Sequence, residues 1–289
     1  MRPKKYFIAC TCIFCALAFL MSATTNTQQP SAFQIVKEMY AKSRLISTMK
    51  YTMKKQERIE GKMILQQTAV KLVTNPLKVY LRQDLPKAGL EVLYVQGANN
   101  NNAIVNTNGF PWVNLNLDPM GSVMRANQHH TLMDSGYPHL MSILEHLTTK
   151  YNNNVEEMVI NAGLVNWNGH TCWNIVFSNP YFKIEKYTIK QGDNLLTLAA
   201  QSKLSEHMIL ELNKEIDDYN DVKPGQVINL PNDYSPKLEL LVDKNELIPM
   251  VMKVYDQKGL YEHYEYYNVV TNPVFKANEF QKDYPEYNF

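Results

Sequence analysis

Four of the chain's seven histidines fall within eighteen residues of one another: His129, His130, His139 and His146. Imidazoles at suitable spacing ligate transition metals, and a zinc site on one helix reads as H-E-x-x-H. The spacing 130, 139, 146 fits no such template, and Glu145-His146 has no histidine four residues away. His139 and His146, seven apart, would share a helix face. The expectation is therefore satisfied or surface histidines and no metal ion. His170 and Cys172 raise a second chemistry, a thiol nucleophile activated by an imidazole. Two apart on a strand, they point to one face, but no third, orienting group is evident. Cys172 sits among Trp173, Ile175 and Val176, the surroundings of a small packed hydrophobe. Glu156-Glu157 and Asp217-Asp218 are adjacent acids, which read as solvated. Glycan hydrolysis would need two acids across a cleft. The expectation is a protein that catalyses nothing and uses no cofactor.

The first residues give the compartment. Arg2, Lys4 and Lys5 precede an uncharged apolar run over residues 6–21, followed by Ser22-Ala23-Thr24. A basic start, an apolar run and small residues describe a secretory signal peptide, residues 1–23. The full chain holds 29 Lys+Arg and 28 Asp+Glu, and without those three cations its net charge becomes −2. That balance gives no basic face for nucleic acid. Of the four cysteines, Cys10, Cys12 and Cys15 lie in the signal, so Cys172 alone remains and the fold must rest on its hydrophobic core. Export across the inner membrane, to the periplasm or cell envelope, is expected.

Residues 24–30 read as a polar linker. Ser31 can cap a helix in which Phe33, Val36 and Tyr40 recur at helical spacing. Strand patterns follow from about residue 47: Tyr51, Met53 and Lys55 alternate with their neighbours, and runs at 70–73, 77–81 and 90–95 are punctuated by Asn75-Pro76 and Pro86. Asn108-Gly109 predicts a hairpin turn between 103–105 and 112–115. Residues 131–150 read as one helix. Strands return at 155–160 and 171–177 around Asn168-Gly169, then at 237–242, 249–255 and 261–269. Many strands and two covering helices imply a closed barrel or a partly open cleft. Tyr255, Tyr261, Tyr264, Tyr266 and Tyr267 read first as sheet packing, with ligand lining as the alternative.

Between the strand groups lies Y-T-I-K-Q-G-D-N-L-L-T-L-A, a helical run ending L-E-L-N, and V-K-P-G-Q-V-I-N-L-P. Residues 187–231 resemble a LysM module, a family that binds N-acetylglucosamine polymers such as peptidoglycan and chitin. The resemblance implies a shallow sugar groove. Gly192, Asp193, Asn194 and Leu195 would form one wall, and Ile216 and Asp217 would lie near the other. The residues themselves also serve structure: Gly192 permits a turn, Asp193 can cap the next helix, and Asn213 ends a helix.

Residues 31–180 and 236–281 are similar to the half-barrel group that includes the outer-membrane lipoprotein carriers, LolA-like folds. The resemblance rests on a first helix, a long meander, and a C-terminal part carrying Leu238-Glu-Leu-Leu-Val-Asp243, Leu247-Ile-Pro249, Val254-Tyr-Asp256 and Gly259. The stretch from Gly121 to His130, with Gly136 and Leu140, also resembles a domain family of unknown function of that fold. The likeness implies a curved antiparallel sheet whose greasy concave face holds a lipid, a lipidated peptide or a protein partner. The expected whole is α+β: a discontinuous half-barrel with covering helices and an inserted βααβ module. It would bind peptidoglycan without catalysis. The competing readings are a wall-cleaving enzyme and an envelope assembly scaffold.

Overall fold

The computed structural model describes residues 29–289, so the signal-peptide segment and most of the 24–30 linker lie outside the described residues. Residues 31–289 make one compact unit. The elements, in chain order, are α1 (Ala32–Ser43), β1 (Thr48–Ile59), β2 (Lys62–Thr74), β3 (Leu77–Leu85), β4 (Glu91–Val95), β5 (Ala103–Asn106), β6 (Leu115–Leu117), α2 (Ser122–Arg125), α3 (Pro138–Tyr151), β7 (Val159–Trp167) and β8 (His170–Ser178). There follow β9 (Ile184–Thr188), α4 (Leu195–Ser202), α5 (Glu206–Leu212), β10 (Val227–Pro231), β11 (Lys237–Asp243), β12 (Pro249–Asp256) and β13 (Gly259–Thr271).

Eleven strands pair antiparallel in the order β6-β5-β4-β3-β2-β1-β13-β12-β11-β8-β7. The first six strands run outward as a meander, and β13 pairs with β1 to join the C-terminal strands to them. β8 pairs with β11, Phe177 opposite Leu238, so the chain leaves the sheet at one strand and re-enters at its neighbour. The excursion between them is the small unit β9-α4-α5-β10, whose two strands pair with each other. The fold is thus α+β, with a large antiparallel sheet, covering helices and a βααβ insertion. α1, capped by Ser31, and α3 bury Ile35, Met39, Leu140, Leu144 and Leu147 in the core of the sheet. Antiparallel strands with one apolar face need such cover.

Three local expectations are corrected. Residues 131–150 are not one helix: Leu132–Asp134 is a 3₁₀ turn, Gly136 takes φ +81°, and α3 starts with Pro138 in its first turn. A Cβ at Gly136 would lie 2.5 Å from Cδ2 of Leu72, so the chain breaks where only glycine fits. The strand expected at 155–160 begins only at Val159, because Asn152–Met158 closes into a 3₁₀ helix after α3. The hairpin around Asn108-Gly109 is real but wide. β6 starts at Leu115 rather than 112, leaving Phe110 and Trp112 exposed in the loop.

Candidate functional site

Two sites arise, one on the inserted unit and one inside the host sheet.

The inserted unit has its own core of Ile189, Leu195, Leu198, Ala199, Leu204, Ile209, Ile216 and Ile228. Gly192 turns the chain out of the first strand at φ +90°. Asn194, and not the expected Asp193, caps α4, its side chain accepting from the Thr197 N–H at 2.7 Å. Asp193 instead folds back: its Oδ2 accepts from the Lys190 N–H and the Tyr187 hydroxyl, both at 2.8 Å, and these bonds hold its carboxyl below the usual range. Asn213 is fully buried and locks α5 to β10 through both its amide atoms, donating to Ile209 and Asn229 and accepting from Asn229 N–H.

The expected groove residues divide into two sets. Gly192 and Asp217 are exposed, and Asp193 and Asn194 half-exposed. Leu195 and Ile216 are buried, with their side chains packed in the unit's core. Leu195 N–H donates to Tyr219 O at 2.9 Å, and Asn194 Nδ2 donates to Asn220 Oδ1 at 3.1 Å. These bonds tie the turn after β9 to the loop before β10, holding the two proposed walls at a fixed spacing.

Residues 187–231 match the LysM domain family. This inserted unit is a LysM domain. The family implies a capacity to hold glycan. Residues 46–189 match the family described as "Protein of unknown function (DUF1571)". β11, β12 and β13 lie beyond that match yet complete the same sheet. No curated protein matches the chain. Among solved structures, the MucA/MucB complex of Pseudomonas aeruginosa is 11% identical, with a TM-score of 0.41, over 86% of this chain and 60% of that one. The Mycobacterium tuberculosis lipoprotein LppX is 11% identical, TM-score 0.40, over 83% and 95%. A putative outer membrane lipoprotein-sorting protein domain from Vibrio parahaemolyticus is 10% identical, TM-score 0.34, over 87% and 96%.

The LysM domain is fastened to the host through α5. Ile209 faces the domain's own core, whereas Met208 is buried in the host core. Arg125 at the end of α2 pairs with Glu206 at 2.8 Å and lies over the Tyr219 ring at 4.1 Å. Ser205, the N-cap of α5, meets the Tyr261 hydroxyl at 3.4 Å.

The second site is a cavity of about 620 Å³ in the host. Leu81, Val92, Val105, Leu117, Leu140 and Met252 give it an apolar wall, and exposed Lys87, Val123 and Asn127 mark where it meets the surface. Tyr264 and Tyr266 line it, so two of the tyrosines read as sheet packing also face the cavity. Its polar end grows out of the β1–β13 register. Lys55 lies opposite Tyr264, and Glu57 opposite Glu262. Two acids directly opposite on adjacent strands repel, and both are buried here. They are offset by a dense set of donors. Lys55 Nζ lies 3.2 Å from Glu57, and the Tyr264 hydroxyl donates to Glu57 at 2.6 Å. The His129 N–H donates to Glu57 at 3.1 Å, and His129 Nδ1 meets Glu262 at 2.8 Å. The Tyr234 hydroxyl donates to Glu262 at 3.0 Å and lies 2.8 Å from His130 Nε2.

Burial alone would raise both carboxyls, but the surrounding charges reverse it. Lys55, His129 and His130 hold Glu57 below the usual carboxylate range, and His130 with His129 holds Glu262 well below it. Burial opposes a charge on His130, yet Glu262 and Asp134 hold that imidazole well above its ordinary value. Low-dielectric surroundings make each of these attractions strong and each unpaired group costly.

The remaining candidates lie elsewhere. His146, on α3, does not join His130 and His139, whose rings are 4.7 Å apart. His170 Nδ1 lies 2.7 Å from Asp243, an orienting group brought in by β11 that no local spacing discloses. Cys172 is buried, and burial together with Asp243 pushes its thiol up to about 11. A thiol so placed is protonated at neutral pH and is a poor nucleophile. Among the described residues no helix is long and apolar enough to cross a membrane.

Lys55, Glu57, Asp134, Tyr234 and Glu262 were not singled out as site residues from sequence. One signal was present: Tyr51, Met53, Lys55 and Glu57 alternate on one strand face, so a charged pair continues an inward-facing apolar row. Glu262 and Tyr234 carry no such mark.

Proposed function

We propose that the chain is a non-catalytic cell-envelope protein. Its LysM domain binds peptidoglycan, an N-acetylglucosamine glycan, through the surface around Gly192, Asp193, Asn194 and Asp217. Its curved half-barrel host holds a lipid or lipidated peptide. The observation that carries this reading is the way the LysM domain is mounted on the host. Met208 anchors the LysM domain to the host core, while Gly192 and Asp217 remain in solvent. A shallow turn that exposes backbone amides suits an N-acetyl group, and affinity for a single module is modest.

For the host, a cavity of about 620 Å³ lies within the range of roughly 300–1,000 Å³ common to small-molecule sites. An aliphatic wall with a charged end suits an amphiphile. The signal-like residues 1–23 favour export to the envelope. The buried, protonated thiol of Cys172 weighs against a thiol peptidase.

Native mass spectrometry of protein purified from an exporting cell without detergent tests the host's role. The expected result is an adduct that survives gentle ionisation and is lost in Leu117→Trp, which fills the cavity from β6. Protein that stays free of adduct after incubation with envelope lipid extract would contradict a carrier role.

A further inference from the structure

We propose that His130, Asp134 and His139 form a binding site for a divalent transition-metal ion of the Zn²⁺ class at the wall of the host cavity. This site does not depend on the cavity holding an amphiphile. One donor atom from each of the three residues falls within 4.8 Å of the others. Asp134 presents one oxygen to each imidazole: Oδ1 lies 3.4 Å from His139 Nδ1, and Oδ2 lies 3.7 Å from His130 Nδ1. Metal bonds of about 2.0–2.2 Å at tetrahedral angles place neighbouring donors roughly 3.3–3.5 Å apart. Each imidazole is therefore close to ligating distance from the carboxylate, and a closing movement of about 1 Å or less would bring the three donors onto one ion.

The local chain explains why these residues converge although their spacing fits no helical template. Asp134 closes a 3₁₀ turn, and the Thr131 N–H donates to its Oδ2 at 3.1 Å, fixing the carboxylate. Gly136 then reverses the chain, held by its N–H to the Tyr51 hydroxyl. His139 follows in the first turn of α3, with its Nδ1 turned toward Asp134.

The surroundings of His130 are those of a ligand. Tyr234 donates its hydroxyl proton to Glu262, so it must accept from His130 Nε2–H. That relay puts a proton on Nε2 and aims Nδ1 at Asp134 and His139. Nδ1 is buried and has no hydrogen-bond partner among the described residues. Metal-bound histidines commonly donate their other ring N–H toward a carboxylate in this way. A metal would replace any proton on Nδ1, which leaves to solvent. Two imidazoles and one carboxylate leave a coordination position free. All three residues line the cavity, so that position would accept water or an anionic oxygen of a ligand.

The test is Zn²⁺ titration of tag-free, chelator-stripped protein by calorimetry, with thermal melting as a second measurement. The expected result is one equivalent bound, a higher melting temperature with Zn²⁺, and affinity weakened at least about 100-fold in Asp134→Asn and in His139→Ala, since loss even of outer-shell partners costs about 10–100-fold. His146→Ala should leave binding unchanged. If Asp134→Asn does not fold, His139→Ala decides, because its ring is partly exposed. A flat wild-type titration would leave only an ion pair among these residues and overturn the proposal. Binding unchanged in His139→Ala would place the metal elsewhere and overturn it as well.

Discussion

His129 of the host stacks on His207 of the LysM domain, with ring centroids 4.5 Å apart and planes within 23°. His129 also anchors both buried acids of the cavity's polar end, through Glu57 and Glu262. His207 is the second residue of α5, whose next residue, Met208, enters the host core. The LysM domain and the polar end of the cavity therefore share one packed junction, reinforced by Arg125 and Glu206.

That junction predicts joint unfolding. Met208→Ala should cost about 2–5 kcal/mol, the usual range for truncating a buried methionine. Urea unfolding followed by tryptophan fluorescence and by far-UV circular dichroism should show one transition in both the parent and the variant. A separate early transition that Met208→Ala leaves in place would mean that the LysM domain folds without support from the host.

Cys172 offers a chemical check on the core. With its thiol pushed up to about 11, little thiolate exists near pH 8. In a chain lacking residues 1–23 it is the lone cysteine. Iodoacetamide should label it slowly in native protein and rapidly in urea, as read by intact mass. Rapid native labelling would contradict its placement between β7 and β11.

Asp243 should carry a measurable share of acid sensitivity. Its Oδ1 accepts from the Asn245 and Glu246 N–H groups, both at 2.8 Å, and its Oδ2 meets His170 Nδ1. Burial raises its carboxyl, but these partners outweigh it and the net shift is downward. A folded value below the unfolded one, about 3.9, means the stabilisation is complete above about pH 5 and is lost as pH falls through the folded value. Asp243→Ala should therefore cost about 1.5–3 kcal/mol at pH 7, with the gap to the parent narrowing on acidification. An equal gap in urea midpoints at pH 7 and pH 3 would contradict the assignment.

The LysM domain was legible in sequence because its punctuation is local. Gly192 and Gly225 adopt positive φ, and caps open both helices at Asn194 and Ser205. The return of the host sheet after it was legible from the strand patterns at 237–242, 249–255 and 261–269. The break inside 131–150 was hidden, because apolar spacing continues across Gly136 while the tight approach of Leu72 is a tertiary fact. The polar end of the cavity was hidden for the same reason: Glu57 and Glu262 become neighbours only through the β1–β13 register. His130, Asp134 and His139 straddle a 3₁₀ turn and a helix start, so no single period brings them together. The inward packing of the Leu195 side chain was hidden too, because its place beside the turn does not reveal which way it points.

The central claim is that the solvent-facing turn of the LysM domain holds glycan, and co-sedimentation with purified insoluble peptidoglycan tests it most directly. The parent protein should pellet in proportion to peptidoglycan added. Gly192→Ala, which shares the backbone strain at φ +90° but adds little bulk, should still pellet, and Gly192→Trp should remain in the supernatant. Parent protein that stays soluble at every peptidoglycan concentration, or equal pelleting of the parent and Gly192→Trp, would contradict the account.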